Sequence, residues 1–309
     1  MGVILSAGLT PAWQQIMVFD RFRSGEVNRA AEVHWCASGK VFNAAIAVRH
    51  LGAPSLALAT VGGPPQELIQ QELRRLSVSR RLITTRAATR VCTTILDRAT
   101  GTITELVENG RPLSDQEREQ FCQAYAEEVA RADVSVIIGS LPVGTGSSFY
   151  RRLVQQTLCP TVLDFRGPGL AAVLDLEPLV VKPNREELAQ TVGHELKDDD
   201  QLIRAMGWLN AQGAQWAIVT QGADPVWVRS EKQLLRLHPP PVEQTINPIG
   251  CGDAMAAGIA VAVRDGRPPV DAIRLGIGAA LENLRQLLPG RIDRARAEAL
   301  AAAVGVEVL

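Results

Sequence analysis

Asn247-Pro248-Ile249-Gly250-Cys251-Gly252-Asp253-Ala254-Met255-Ala256-Ala257-Gly258 is the stretch from which the rest of the chain can be read. Two glycines come first, an acid follows, and small residues then continue in helical register. Glycine lets the backbone turn sharply and approach a ligand closely. The first amides of a helix beginning here have no partner within it, and its positive dipole end favours an anion. Asp253 stands where such an anion would be held. A carboxylate there opposes simple anion binding, but it can take a proton from an attacking hydroxyl. It can equally be the helix N-cap, a position that favours Asp. The stretch alone leaves both roles open.

Outward from this stretch, short β-rich apolar runs alternate with helical patterns. Strands are expected at Val3–Leu9, Leu56–Val61, Val134–Ile138, Thr161–Leu163, Leu179–Val181 and Trp216–Val219. Helices are expected at Val41–Leu51 (with Gly52 just past its end), Gln66–Leu76, Asp115–Arg131, Ser148–Thr157 and Asp200–Gln212. Such alternation predicts an α/β fold with a mainly parallel sheet covered by helices on both faces. Two segments break the rhythm. Ile16–Trp35 holds two strand-like pieces around Arg23-Ser24-Gly25-Glu26, and Thr89–Val107 reads as a hairpin turning at Arg98-Ala99-Thr100-Gly101. They predict a small β-lid built from about residues 14–37 and 88–108 on a single domain spanning 1–309. The chain then turns helical from Gly252 through Val304. No internal repeat or linker-like composition interrupts it.

Composition excludes several classes. The 309 residues are 46% hydrophobic, enough for a sizeable core. A net charge of −1 supplies no global field for nucleic acid or an anionic membrane, and 4% aromatic residues offer few stacking platforms. The five cysteines are odd in number and widely spaced, which suits free thiols in a reducing compartment. The four histidines lack metal-ligand spacing. The amino terminus shows no secretory pattern and no apolar run reaches bilayer length, so the expected location is the cytoplasm.

In its motifs the chain resembles the phosphofructokinase-B family of ribokinase-like carbohydrate kinases, most closely the 1-phosphofructokinase and tagatose-6-phosphate kinase branch. Gly250-Cys251-Gly252-Asp253 resembles the family's G-A-G-D, whose backbone forms an anion hole and whose Asp is the catalytic base. Val181-Lys182-Pro183-Asn184-Arg185-Glu186-Glu187-Leu188 resembles its K-P-N-x-x-E box. The resemblance gives Asn184 and Glu187 a part in organising Mg²⁺, largely through water, and places Lys182 and Asn184 near the nucleotide. On the residues alone, Asn184 and Glu187 are also a capping-box pair. Thr220-Gln221-Gly222-Ala223-Asp224 is similar to a loop near the nucleotide phosphates, and Asn283 to an adenine-pocket Asn. Gly139-Ser140-Leu141-Pro142 is similar to a strand exit lining the cleft. Ala88-Thr89-Arg90 is similar to E-T-R without its Glu, and the resemblance gives Arg90, together with Lys40, the phosphate already on the sugar.

Departures cluster on the acceptor side. The family's N-P-A-x-D, whose Asp grips sugar hydroxyls, reads Thr10-Pro11-Ala12-Trp13-Gln14, and an amide is no isostere of a carboxylate. Its G-G-K-G-x-N reads Ser38-Gly39-Lys40-Val41-Phe42-Asn43, so Gly39, Lys40 and Asn43 remain while two glycines are replaced. Pro248 replaces a Thr. The resemblance therefore implies a ribokinase-like three-layer sandwich and ATP- and Mg²⁺-dependent phosphoryl transfer to a hydroxyl of a sugar phosphate. It also implies a homodimer formed through the lid. A kinase of a neutral sugar or nucleoside, or a catalytically weak sugar-phosphate sensor, are the alternatives left by the rewritten acceptor side.

Overall fold

The apolar runs expected as strands form the middle of one ten-stranded sheet in the computed structural model, which describes residues 2–242 and 244–309. Seven strands are parallel: β1 (Val3–Gly8), β4 (Ser55–Val61), β5 (Ser79–Thr84), β8 (Ala132–Ile138), β9 (Thr161–Asp164), β10 (Val180–Val181) and β11 (Trp216–Val219). Three antiparallel strands, β12 (Val226–Arg229), β13 (Leu234–His238) and β14 (Gly305–Val308), extend one edge. The order is β14-β13-β12-β11-β10-β9-β8-β1-β4-β5. All residues of β4 are buried, as expected of a parallel strand covered on both faces.

Helices cover both faces. On one lie α1 (Lys40–His50), α2 (Pro65–Arg75), α8 (Cys251–Arg264), α9 (Pro269–Leu284) and α10 (Arg294–Ala302), packed through Phe42, Ile46, Ile69, Ile259 and Ile273. On the other lie α3 (Asp115–Val129), α4 (Ser148–Val154), the single turn α5 (Pro168–Ala171), α6 (Arg185–Val192) and α7 (Asp199–Ala211), with Phe121, Tyr125, Leu170, Leu188 and Leu202 in the core. Each such large side chain contributes about 1.5–3 kcal/mol by leaving water. The small residues of α8 have another use. Ala254, Ala256, Ala257 and Ala260 are fully buried, which lets this helix sit between the sheet and α9.

The lid is a separate four-stranded sheet of order β3-β2-β6-β7, formed by β2 (Ala12–Phe19), β3 (Glu32–Ser38), β6 (Arg90–Asp97) and β7 (Thr102–Val107). Its central pair β2–β6 is parallel and its flanking pairs are antiparallel. Alternation then sorts its side chains between two faces. Ile16, Val18, Cys36 and Leu96 face inward onto Leu287 and Leu288. On the outward face Trp13 stacks on Trp35 at 6.1 Å, and Val33, Trp35 and Leu106 are 46%, 44% and 55% exposed. Gly39 ends β3 at φ 81, where an added Cβ would lie 2.9 Å from the backbone of Thr10, Pro11 and Ala12. The passage from lid to α1 therefore requires glycine.

Strands β5, β12, β13 and β14 go beyond the pattern read from the sequence. Their runs are short and interrupted by charged residues, and β14 becomes a strand only by pairing with β13 across about seventy residues of chain.

Candidate active site

The parallel strands β11, β10, β9, β8 and β1 end along one edge of the sheet, and the segments that leave them carry Thr220, Lys182 and Asn184, Asp164, Gly139 and Ser140, and Thr10. A crevice at the carboxyl ends of such strands is where open α/β sheets bind ligands. The lid roofs it with Gln14, Cys92, Glu105 and Val107.

Gly250 opens α8 at φ 84 with no side-chain cap, so Asp253 is not the N-cap. It lies in the first turn, buried, and its Oδ2 accepts a hydrogen bond from Asn43 Nδ2 at 2.8 Å. Burial pushes the Asp253 carboxyl up to about 6 against the pull of Lys40. The Cys251 amide turns back to the Pro248 carbonyl at 3.3 Å, and the next amides, of Gly252 and Asp253, belong to the open helix end. The Cys251 thiol, pushed up to about 12 by burial, stays neutral and accepts a hydrogen bond from Asn283.

Asp164 is the hub beneath this loop. It is buried at the end of β9 with the Lys40 ammonium 3.1 Å from Oδ1 and the Lys182 ammonium 3.0 Å from Oδ2. Burial opposes its charge, but the two lysines hold the carboxyl below its usual range. Burial likewise opposes the charge on Lys40, yet Asp164, Asp253 and Glu187 outweigh it and keep the ammonium above the usual lysine range. Asp164 is thus shared between two ammonium groups, one on each carboxylate oxygen. Asn184 and Glu187 form a complete capping box at the start of α6, and Glu187 Oε1 also faces Lys40 at 3.6 Å and Arg166 at 3.4 Å.

Similarity to known proteins bears on this geometry. Residues 8–289 match the model of the pfkB family carbohydrate kinases. The chain belongs to the pfkB family of carbohydrate kinases. Among solved structures, phosphofructokinase-2 of Escherichia coli in complex with fructose-6-phosphate superposes at a TM-score of 0.88 with 23% identity, covering 98% of this chain and 99% of that one. A protein described as a possible 1-phosphofructokinase of Thermotoga maritima gives a TM-score of 0.89 with 23% identity over 99% of both chains. The tetrameric inhibited form of the Escherichia coli enzyme gives 0.88 with 22% identity over 98% and 99%.

Most residues expected at the site of this kinase converge. Gln14, Gly39, Lys40, Asn43, Arg90, Lys182, Asn184, Glu187, Thr220, Gly222 and the loop Gly250–Asp253 line one chamber of about 510 Å³, and Ser140 lines its neighbour. Two expected roles change. Asn283 is fully buried and gives no free amide to a base: its Nδ2 donates to the Ile249 carbonyl at 2.9 Å and its Oδ1 accepts from Gly290 N–H at 2.8 Å. It braces the Ile249–Cys251 turn instead. Arg90 reaches both chambers, but its guanidinium donates to the carbonyls of Thr10, Pro11 and Glu108 at 3.0–3.2 Å. Three of its five N–H groups thus tie the lid to the sheet, and two remain for a ligand. Gln14 turns its amide inward to Thr94 Oγ1 at 2.7 Å.

Asp164, Glu105 and Arg166 were not singled out from the sequence. For Asp164 the signal was present: an acid ends the apolar run Thr161-Val162-Leu163 where a strand meets the crevice. For Arg166, two residues on, there was none. Among the described residues no helix is long and apolar enough to cross a membrane.

Proposed function

We propose that this kinase transfers the γ-phosphoryl group of ATP to a hydroxyl of a sugar phosphate, with Asp253 as general base. The observation that carries this reading is the Asp253 carboxyl, buried among Asn43, Lys40 and the open end of α8 and pushed up to about 6. A base with a pKa just below neutrality is ionised at pH 7 yet strong enough to take a developing proton. Asn43 fixes one carboxylate oxygen and leaves the other for the acceptor. The amides of Gly252 and Asp253, with the Lys182 ammonium below them, stabilise charge on the phosphoryl in flight.

The oxygen set suits Mg²⁺ carried in with ATP. Asp164, Asn184 and Glu187 line one chamber, so the side chains available to such an ion present hard oxygens. Among the described residues no three acids, histidines or cysteines are grouped closely enough to hold a metal directly, which suits an ion that keeps most of its water. When bound, the ion would offset negative charge on the phosphate oxygens. Thr220 and Gly222 flank the nucleotide phosphates in this reading.

ADP release measured over a panel of sugars and sugar phosphates tests the acceptor. Fructose 1-phosphate, fructose 6-phosphate or tagatose 6-phosphate gives the highest kcat/KM if the reading is right. A higher value for free fructose or a nucleoside would refute the sugar-phosphate assignment and leave the kinase assignment standing.

The outward face of the lid supports a homodimer. Val33, Trp35 and Leu106 are exposed on one face of the lid, beside Trp13, which stacks on Trp35 and packs partly against the main core, and an isologous lid-to-lid contact would bury this face in both copies. Light scattering at micromolar concentration is expected to give twice the 33.3 kDa chain mass, and Trp35→Glu to shift it toward the monomer. A wild-type monomer under those conditions would exclude the lid dimer.

A further inference from the structure

The crevice has two chambers with opposite charge. The chamber beneath the lid sets Lys40, Arg90 and Lys182 against four carboxylates: Glu105, Asp164, Glu187 and Asp253. The neighbouring chamber of about 450 Å³ sets Lys40, Arg90 and Arg166 against Glu187 alone. Lys40 and Arg90 stand at the junction. The first chamber suits hydroxyls, a cation and a phosphoryl group in transit. The second is the place for a fixed negative charge.

Arg166 is what distinguishes the second chamber. It leaves β9 two residues after Asp164, and Phe165 between them is buried in a parallel stack with Tyr150 at 3.7 Å. The Tyr150 hydroxyl in turn donates to the Gly139 carbonyl, next to Ser140. The base of Arg166 is therefore fixed while its side chain is 55% exposed, its guanidinium having one protein partner, Glu187 Oε1 at 3.4 Å. That contact is long, and Lys40 shares the same oxygen. Arg90 has three donors committed to carbonyls, so Arg166 has the larger free donor set of the two guanidinium groups in the chamber.

We infer that Arg166 determines acceptor specificity: with Lys40 and the Ser140 hydroxyl it forms the subsite for the acceptor's own anionic group, a phosphomonoester. The inference rests on the sugar-phosphate reading above and names the residue that reading lacked. A planar guanidinium suits a phosphate dianion through paired, charge-assisted hydrogen bonds. An acceptor spanning the junction then presents its hydroxyl to Asp253 at one end and its phosphate to Arg166 at the other.

The test has two arms. Calorimetric titration with inorganic phosphate is done on the full chain with the nucleotide site filled by an imido analogue of ATP. Wild type binds phosphate, Arg166→Gln binds it about ten- to a hundredfold more weakly, and the surface variant Arg152→Gln is unchanged. In steady-state kinetics Arg166→Gln raises KM for the best sugar phosphate by a similar factor and leaves KM for ATP within about twofold, while Arg166→Lys restores part of the loss. Equal phosphate binding by wild type and Arg166→Gln, or none by wild type, overturns the inference even if sugar phosphates are the substrates. Phosphate binding that depends on Arg166 in an enzyme that prefers neutral sugars overturns the acceptor role and the sugar-phosphate reading together.

Discussion

Replacing Asp253 with Asn is expected to lower kcat by about two to four orders of magnitude, the worth of a positioned general base, while raising thermal stability at neutral pH. The two effects have one cause. Burial pushes the carboxyl from 3.8 up to about 6, so the folded protein binds this proton more tightly than the unfolded chain does. The group's contribution to stability therefore falls as pH rises from about 4 through 6, and above that range the fold carries a buried charge. A shift of about two units is on the order of 2–3 kcal/mol, and an amide removes most of that penalty while keeping a partner for Asn43. Activity runs the opposite way: kcat/KM climbs as pH rises through about 6, because only the carboxylate accepts a proton. Rate profiles between pH 5 and 8, with melting curves of both proteins, check the pair of effects. A variant that turns over near the wild-type rate, or a flat wild-type profile, would remove Asp253 from the chemistry.

Gly252→Ala is expected to cost about two to three orders of magnitude in kcat with the melting temperature unchanged or slightly raised. Gly252 lies inside α8 with ordinary helical backbone, and alanine is the better helix former by about 1 kcal/mol. Its added Cβ would lie 3.3 Å from the Lys182 ammonium and 3.9 Å from Asp164 Oδ2, in the space between the anion loop and the cations beneath it. A methyl group there displaces the phosphoryl, and the Lys182 ammonium needs to give only by a few tenths of an ångström at the end of its flexible side chain. Gly250 differs, because its φ of 84 and the 2.9 Å approach of Pro289 make any side chain there a folding problem. Full activity in Gly252→Ala would mean that the phosphoryl passes elsewhere.

Much of the fold is legible from residues that are neighbours in the chain. Gly250–Gly258 and the box Val181–Leu188 carry local conformational signals: a left-handed glycine before a run of small helical residues, and a capping box after a short apolar strand. Such signals act within a few residues and need no tertiary context. The alternation of apolar runs and helical periods made the parallel sheet legible for the same reason, and the lid hairpin at Arg98–Gly101 was legible from its turn.

What the tertiary structure alone decided is which groups meet. The local sequence left Asp253 open as a helix cap, and the fold makes Gly250 the cap and brings Asn43, from 210 residues away, onto the Asp253 carboxylate. Asp164, Lys40 and Lys182 form one charged cluster because β9, β10 and the start of α1 end at the same edge of the sheet. Asn283, which by resemblance faced a nucleotide, instead holds the Ile249–Cys251 turn because α9 packs against α8 and buries it. Arg90 became an anchor because the segments entering β2 and leaving β7 bring the Thr10, Pro11 and Glu108 carbonyls to its guanidinium. Strand β14 forms only by pairing with β13, about seventy residues earlier in the chain. Each of these outcomes depends on contacts between distant segments, and the desolvation that sets the charge states follows from those contacts rather than from local sequence.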